Sequence, residues 1–242
     1  MAELPRPVHP PGTIGVLSGD LMRWGWFFDC MLAMQHMLPP GSQVIRINGQ
    51  WVADAVNSAI EEMRPEDEFF AVYADDHIFQ PDILYKMLDH NLPIVAPLVC
   101  LRSLGFQPSL FHELPNGEFR NYRWSELKGK TGLLPVDSYG GPCSVIRREV
   151  IEAVGMPFFE NMPGRRTAPH EDLYAFSKCR KAGFQPYCDL DTKIGHIIPA
   201  AVFPTQDAQG NYGVRVWSRE DLGYIFMDES RVTDDQHYHA HT

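Results

Sequence analysis

The sequence predicts an α/β fold, a single sandwich built on a mixed, mainly parallel central sheet. Three observations carry that expectation. Short β-rich runs alternate with amphipathic stretches from residue 13 onward, in the rhythm of strand–helix–strand units. One run, Glu68 to Ala74, reads as a buried strand and leads straight into Asp75-Asp76-His77. A chain of 242 residues with 44% hydrophobic and 21% charged content is also long enough for one large domain with a full core.

The elements follow in order. Residues 1–12 hold four prolines and no periodic pattern, and read as an extended N-terminal arm. Thr13-Ile14-Gly15-Val16-Leu17 is the first strand, ending in Ser18-Gly19-Asp20, and Trp24 to Met37 follows as a helix with apolar residues at three- and four-residue spacing. Val44-Ile45-Arg46-Ile47 is the second strand. Trp51 to Arg64 then forms a helix with Val52, Ala55, Val56, Ala59, Ile60 and Met63 on one face, ended by Pro65. After the strand at 68–74 and its acidic turn, Pro81 opens a helix through His90, because proline suits a first helical turn. Pro93 to Cys100 is a fourth strand. From Leu101 to Val136 the pattern loosens into Gly, Pro, Asn and aromatic residues, the mark of an insertion or hairpin. Gly140-Gly141-Pro142 precedes a strand at Cys143 to Ile146 and a helix at Arg148 to Val154. Glu171 to Ala182 is another helix, closed by Gly183. Tyr187-Cys188-Asp189 leads to Lys193-Ile194-Gly195-His196, and the chain after Pro199 is expected to be polar and irregular, ending in the alternating His237, His239 and His241.

Bulk properties narrow the function classes. A formal charge of −10 disfavours nonspecific adhesion to DNA or acidic membranes, which requires clustered cations. The five cysteines are widely spaced without a CxxC pair, so they read as reduced core thiols. No run approaches the roughly 18 apolar residues of a membrane helix, and the N-terminus lacks a secretory apolar region. The expectation is a soluble, cytoplasmic protein with no membrane span. Nothing in the pattern indicates an oligomeric state.

Parallel sheets bind ligands beyond the carboxyl ends of their strands, and Asp75-Asp76-His77 falls at such an end. Two adjacent carboxylates and an imidazole form a half-site for Mg²⁺ or Mn²⁺, the imidazole shifting the preference toward manganese. The plain alternative is that the aspartates cap the turn. Glu171-Asp172 opens a helix whose dipole tolerates carboxylates, and Gly195-His196 closes a later strand. Simple first-turn acids and a satisfied core histidine are the structural alternatives there. Gly140 and Gly141 would let backbone approach a sugar or acceptor, or simply form a tight turn. Trp24, Trp26, Trp51 and Trp124 include candidates for a sugar platform, against core positions.

The ordered set Asp75-Asp76-His77, Gly140-Gly141-Pro142-Cys143, Arg147-Arg148-Glu149-Val150, Glu171-Asp172-Leu173-Tyr174 and Gly195-His196 resembles the GT-A glycosyltransferases of family 2 and their compact bacteriophage and bacterial relatives. The resemblance covers residues 13–198 and implies a Rossmann-like GT-A domain there, with 199–242 as a C-terminal extension. It implies a UDP-sugar donor, a Mn²⁺ or Mg²⁺ cofactor and transfer to a hydroxyl acceptor with inversion. The implied acceptor is a glycan, a protein or a modified DNA base, in the host cytoplasm if the chain is phage-encoded. Carried over residue by residue, it places Asp75, Asp76 and His77 at the cation and ribose, His196 as a further metal ligand, and Leu17, Ser18 and Asp20 near the nucleobase. Asn57 matches an Arg-Asn position of such relatives, with Val56 in place of the arginine. Ala74 stands where the relatives carry a first aspartate. Asp172 is the expected base toward the acceptor hydroxyl, with Glu171 orienting it or touching the acceptor.

Two other classes compete. A nucleotidyltransferase uses a similar sheet and metal but has a Gly-rich loop followed by Lys or Arg, which Ser18-Gly19-Asp20-Leu21-Met22-Arg23 matches poorly. A nucleotide- or carbohydrate-binding module could keep the fold without turnover, a reading that Ala74 keeps open.

Overall fold

The computed structural model describes residues 8–18, 25–48, 51–102, 106–141, 143–161, 171–197, 201–217 and 225–227. The first half alternates regularly: β1 (Thr13–Ser18), α1 (Gly25–Gln35), β2 (Gln43–Asn48), α2 (Val52–Glu61), β3 (Phe69–Ala74), β4 (His77–Ile78), α3 (Ile83–Asp89) and β5 (Ile94–Leu98). Next come β6 (Leu110–Glu113), β7 (Phe119–Asn121), α4 (Trp124–Leu127), β8 (Leu133–Pro135), β9 (Ser138–Tyr139), β10 (Ser144–Arg147) and α5 (Arg148–Val154). The last group is α6 (Glu171–Lys181), β11 (Tyr187–Lys193), β12 (Gly195–Ile197), β13 (Ala201–Gln206), β14 (Tyr212–Trp217) and β15 (Ile225–Met227).

The central sheet has seven strands in the order β2-β1-β3-β10-β5-β11-β8. β1 runs parallel to β2 and β3, and β5 parallel to β11, while β10 and β8 run against their neighbours. Five strands thus share one direction, and the expected mixed, mainly parallel α/β sheet is what the chain forms. β3 shows why its sequence carries no polar alternation. Phe70 and Val72 belong to a core with residues of α2 and α6, whereas Phe69, Ala71 and Tyr73 belong to a second core with residues of α1 and α3. Successive side chains of a strand point to opposite faces, and here both faces are covered.

The expected hairpin in the 101–136 region is present as β6 paired with β7, extended by β9. The irregular segment expected after Pro199 is corrected. β13 and β14 form an antiparallel pair and join β15, β12 and β4 in a five-stranded sheet. Val202, Tyr212 and Val214 from this pair are buried in the main core. The acidic turn also differs from expectation in one detail. Asp75 and Asp76 make the turn itself, but His77 already belongs to β4 and pairs with β12.

Candidate active site

The carboxyl ends of β1 and β3 meet the small sheet at one cavity. β3 ends at Ala74, and the Asp75 amide donates to the Leu17 carbonyl at 3.1 Å, tying the turn to the end of β1. The chain then doubles into β4, where His77 faces His196 of β12 as a direct antiparallel partner. The Ile197 amide donates to the Asp76 carbonyl at 2.6 Å and closes that corner. Gly195 is required there because a Cβ would lie 2.6 Å from the Phe203 ring. The cavity so formed measures about 500 Å³. Its lining includes the apolar Leu17, Ile47, Val52, Val56 and Phe159 and the polar Asp75, Asp76, His77, Arg102, Glu171, Asp172 and His196.

Three of these polar groups converge. Asp76, His77 and His196 each offer one ligand atom, and the three atoms lie within 4.8 Å of one another. Their orientation is set from behind. Nδ1 of His196 donates to the Cys100 carbonyl at 2.8 Å, so Nε2 is the atom turned to Oδ2 of Asp76, 3.3 Å away. Nδ1 of His77 sits 2.8 Å from Oδ1 of Asp76 and 3.3 Å from the Ala74 carbonyl, two acceptors that assign its proton to Nδ1. Nε2 of His77 is then a bare lone pair, buried and without a hydrogen-bond partner among the described residues. The imidazoles stack with centroids 4.3 Å apart. A histidine whose second nitrogen donates to a backbone carbonyl is the arrangement that fixes tautomer and ring in metal sites.

Charge follows from the same contacts. Burial alone pushes the Asp76 carboxyl upward, but the imidazoles of His196 and His77 beside it outweigh that and hold the group well below the usual carboxylate range. Burial pulls the His77 pKa down despite the neighbouring carboxylate, which favours the neutral imidazole a metal needs. One carboxylate and two imidazoles suit a divalent cation, and the imidazole content favours Mn²⁺ over Mg²⁺.

The acid–base candidates stand on the first turn of α6. The Leu173 amide donates to Oδ1 of Asp172 at 2.8 Å, yet burial and then the neighbouring Glu171 push the Asp172 carboxyl up to about 7. Glu171 lines the same cavity, and its Oε2 is buried without a hydrogen-bond partner among the described residues. Gly140 and Gly141 complete this wall. A Cβ at Gly140 would sit 2.3 Å from Oγ of Ser109 and 3.7 Å from Oδ2 of Asp172, so only glycine lets the backbone pack this closely against Ser109 beside the Asp172 carboxyl. Nothing lies within 4 Å of a Cβ at Gly141, which faces open space.

No family model and no curated protein sequence matches the chain. Solved structures do. The chain matches A197 from STIV with a TM-score of 0.55 at 14% identity, over 88% of this chain and 97% of that one. It matches GalNAc-T7, solved with UDP, GalNAc and Mn²⁺, with a TM-score of 0.53 at 9% identity, over 78% of this chain and 44% of that one. The chain therefore spans less than half the length of the GalNAc-T7 chain. The fold is of the GT-A type.

On this GT-A frame most of the expected site residues meet. Leu17, Ser18, Asp75, Asp76, His77, Gly140, Gly141, Glu171, Asp172 and His196 all line the one cavity. Asp75 borders it but is outside the converging trio. Asn57 is corrected: its amide donates to the Phe159 carbonyl at 2.7 Å and accepts from the Phe159 amide at 2.9 Å, so it holds the cavity wall from behind instead of facing a ligand. Asp20, Trp24 and the tail histidines lie outside the described residues. Trp124 is buried, with its Nε1 donating to the Phe106 carbonyl at 3.2 Å, whereas Trp51 is 85% exposed beside the cavity residue Val52. Sequence reasoning missed Arg102, whose Nη1 lies 2.8 Å from Oδ2 of Asp76. No local pattern marks it, since its partner is reached only through the fold.

Proposed function

We propose that the chain is a metal-dependent glycosyltransferase that moves a sugar from a nucleoside-diphosphate donor, UDP in our reading, to a hydroxyl acceptor with inversion. The observation that carries the reading is the convergence of Asp76, His77 and His196 in a cavity that also holds a carboxyl with a pKa of about 7. The order of motifs, which resembles family 2, and the shared fold with a chain solved with UDP, GalNAc and Mn²⁺ support it.

A divalent cation held by Asp76, His77 and His196 would supply the Lewis acidity that stabilises charge on a departing diphosphate. The chain's own residues do the rest. The apolar wall of Leu17, Ile47, Val52 and Val56 offers a dry surface for a nucleobase. Asp172 takes the acceptor's proton, and its elevated pKa matches a base working near neutral pH. Glu171 orients the acceptor hydroxyl, and the open space at Gly141 admits the sugar. The acceptor is a glycan, a protein or a modified DNA base.

A thermal-shift panel of UDP-, GDP- and dTDP-sugars with and without Mn²⁺ tests the reading. A ligand at 100 times its Kd stabilises the folded state by about 2.7 kcal/mol, roughly 5–10 °C for a chain of this size. The expected result is a shift with UDP-sugars that requires Mn²⁺. Absence of any nucleotide-dependent shift would sink the proposal.

A further inference from the structure

Arg102 occupies an unusual place for a residue with no assigned role. Its side chain is 58% exposed, the residue lines the cavity, and Nη1 sits 2.8 Å from Oδ2 of Asp76, the same oxygen that Nε2 of His196 approaches at 3.3 Å. Its backbone neighbours are fixed, with the Leu101 amide donating to the Gln107 carbonyl at 2.8 Å and the Cys100 carbonyl holding His196. The side chain reaches Asp76 from the cavity's exposed side. A cation bound by Asp76, His77 and His196 must use the space that the guanidinium now faces, and two positive charges a few ångströms apart repel strongly in a partly buried site. The ion pair they would contest is solvent-exposed on the arginine side, hence weak and readily exchanged. A released guanidinium at the mouth of this cavity presents the planar fork that matches phosphate oxygens two at a time.

We propose that Arg102 is a donor-phosphate ligand that Asp76 holds in reserve, and that a divalent cation entering at Asp76 displaces it toward the diphosphate. This rests on the metal-dependent reading above. Its distinctive consequence is coupling: cation and nucleotide each make the other's site, so each raises the other's affinity by the same factor. A fixed structural ion pair gives no Arg102-dependent coupling. An arginine that reaches phosphate directly gives nucleotide binding that depends on Arg102 whether or not the cation is present.

The test measures Mn²⁺ affinity from the free-ion electron paramagnetic resonance signal, without nucleotide and with saturating UDP, for the parent and Arg102→Gln. Melting temperatures confirm that the variant folds. Without UDP the variant should bind Mn²⁺ about two- to five-fold more tightly, because no guanidinium has to leave. The tightening that UDP produces in the parent should shrink by about ten-fold or more in the variant. Arg102→Lys, which keeps the charge but not the fork, should fall between. An unchanged UDP effect, or weaker Mn²⁺ binding by Arg102→Gln alone, overturns the exchange. Absence of Mn²⁺ binding by the parent in both conditions is a different result, and it removes the metal-dependent reading itself.

Discussion

Asp172 shows what one side chain can report about the site. Burial, then the charge of Glu171, raises its carboxyl from about 3.8 to about 7 in the folded chain. Between those values the folded state keeps a proton that the unfolded state gives up. Its contribution to stability is therefore full below about pH 4 and is lost as the pH rises through 7. Asp172→Asn should be more stable than the parent at pH 8, by about 1–3 kcal/mol, with a smaller difference at pH 5.5. The same change should lower transfer about 10²- to 10⁴-fold and remove the acidic limb near pH 7 from the rate profile. Melts at the two pH values and initial rates across the range check both halves, and full activity in the variant would end the base assignment. Asp76, His77 and His196 were among the candidates the sequence offered, together with Asp75, because Asp75-Asp76-His77 follows a buried strand and Gly195-His196 closes a later β-rich run. The roles of Asn57 and Arg102 were not legible there, since Asn57 acts on a backbone 102 residues away and neither carries a local signature.

Among the elements, α2 and the segment at 158–159 are joined by the two hydrogen bonds of Asn57, and Phe159 in turn lines the cavity. Asn57→Ala leaves the Phe159 amide and carbonyl without these partners and should cost about 1–3 kcal/mol. On the proposed function it should also raise the donor KM by loosening that wall, while kcat at saturation changes little. Urea unfolding and donor titration measure the two effects, and an unchanged midpoint would show that the bonds are replaced. Apart from β4, the helices and strands up to β5 were readable from the sequence pattern. β13 was hidden by Pro204, which argues against an inner strand. The structure resolves this: β12 pairs with β13 only at Val202 and Ala201, so Pro204 lies beyond those rungs and its missing N–H faces no β12 partner. β4, two residues long, is too short for any pattern to announce.

At the level of the whole molecule, two sheets share one core. Val202, Tyr212 and Val214 are almost fully buried, and burial of three such side chains contributes about 5–9 kcal/mol. Net stabilities of domains are about 5–15 kcal/mol, so this is a large fraction. Removing residues 201–242 should leave a chain without a cooperative melt, as read by circular dichroism. A truncated chain that melts as sharply as the parent would show that the small sheet is dispensable. The α/β class was legible because alternating elements admit few arrangements, whereas the second sheet depends on pairings between distant segments. No helix among the described residues is long and apolar enough to cross a membrane.

The rung between His77 and His196 also has a meaning in time. Asp76 and His196 are separated by 120 positions along the chain, and contacts across such long loops close late in folding. The trio is therefore expected to form only after most of the chain has been wound onto its sheets. On the proposed reading, a divalent ion then cannot seed folding, and it acts on the finished molecule by slowing its opening. Ion supply would set how long each copy survives far more than how quickly it forms.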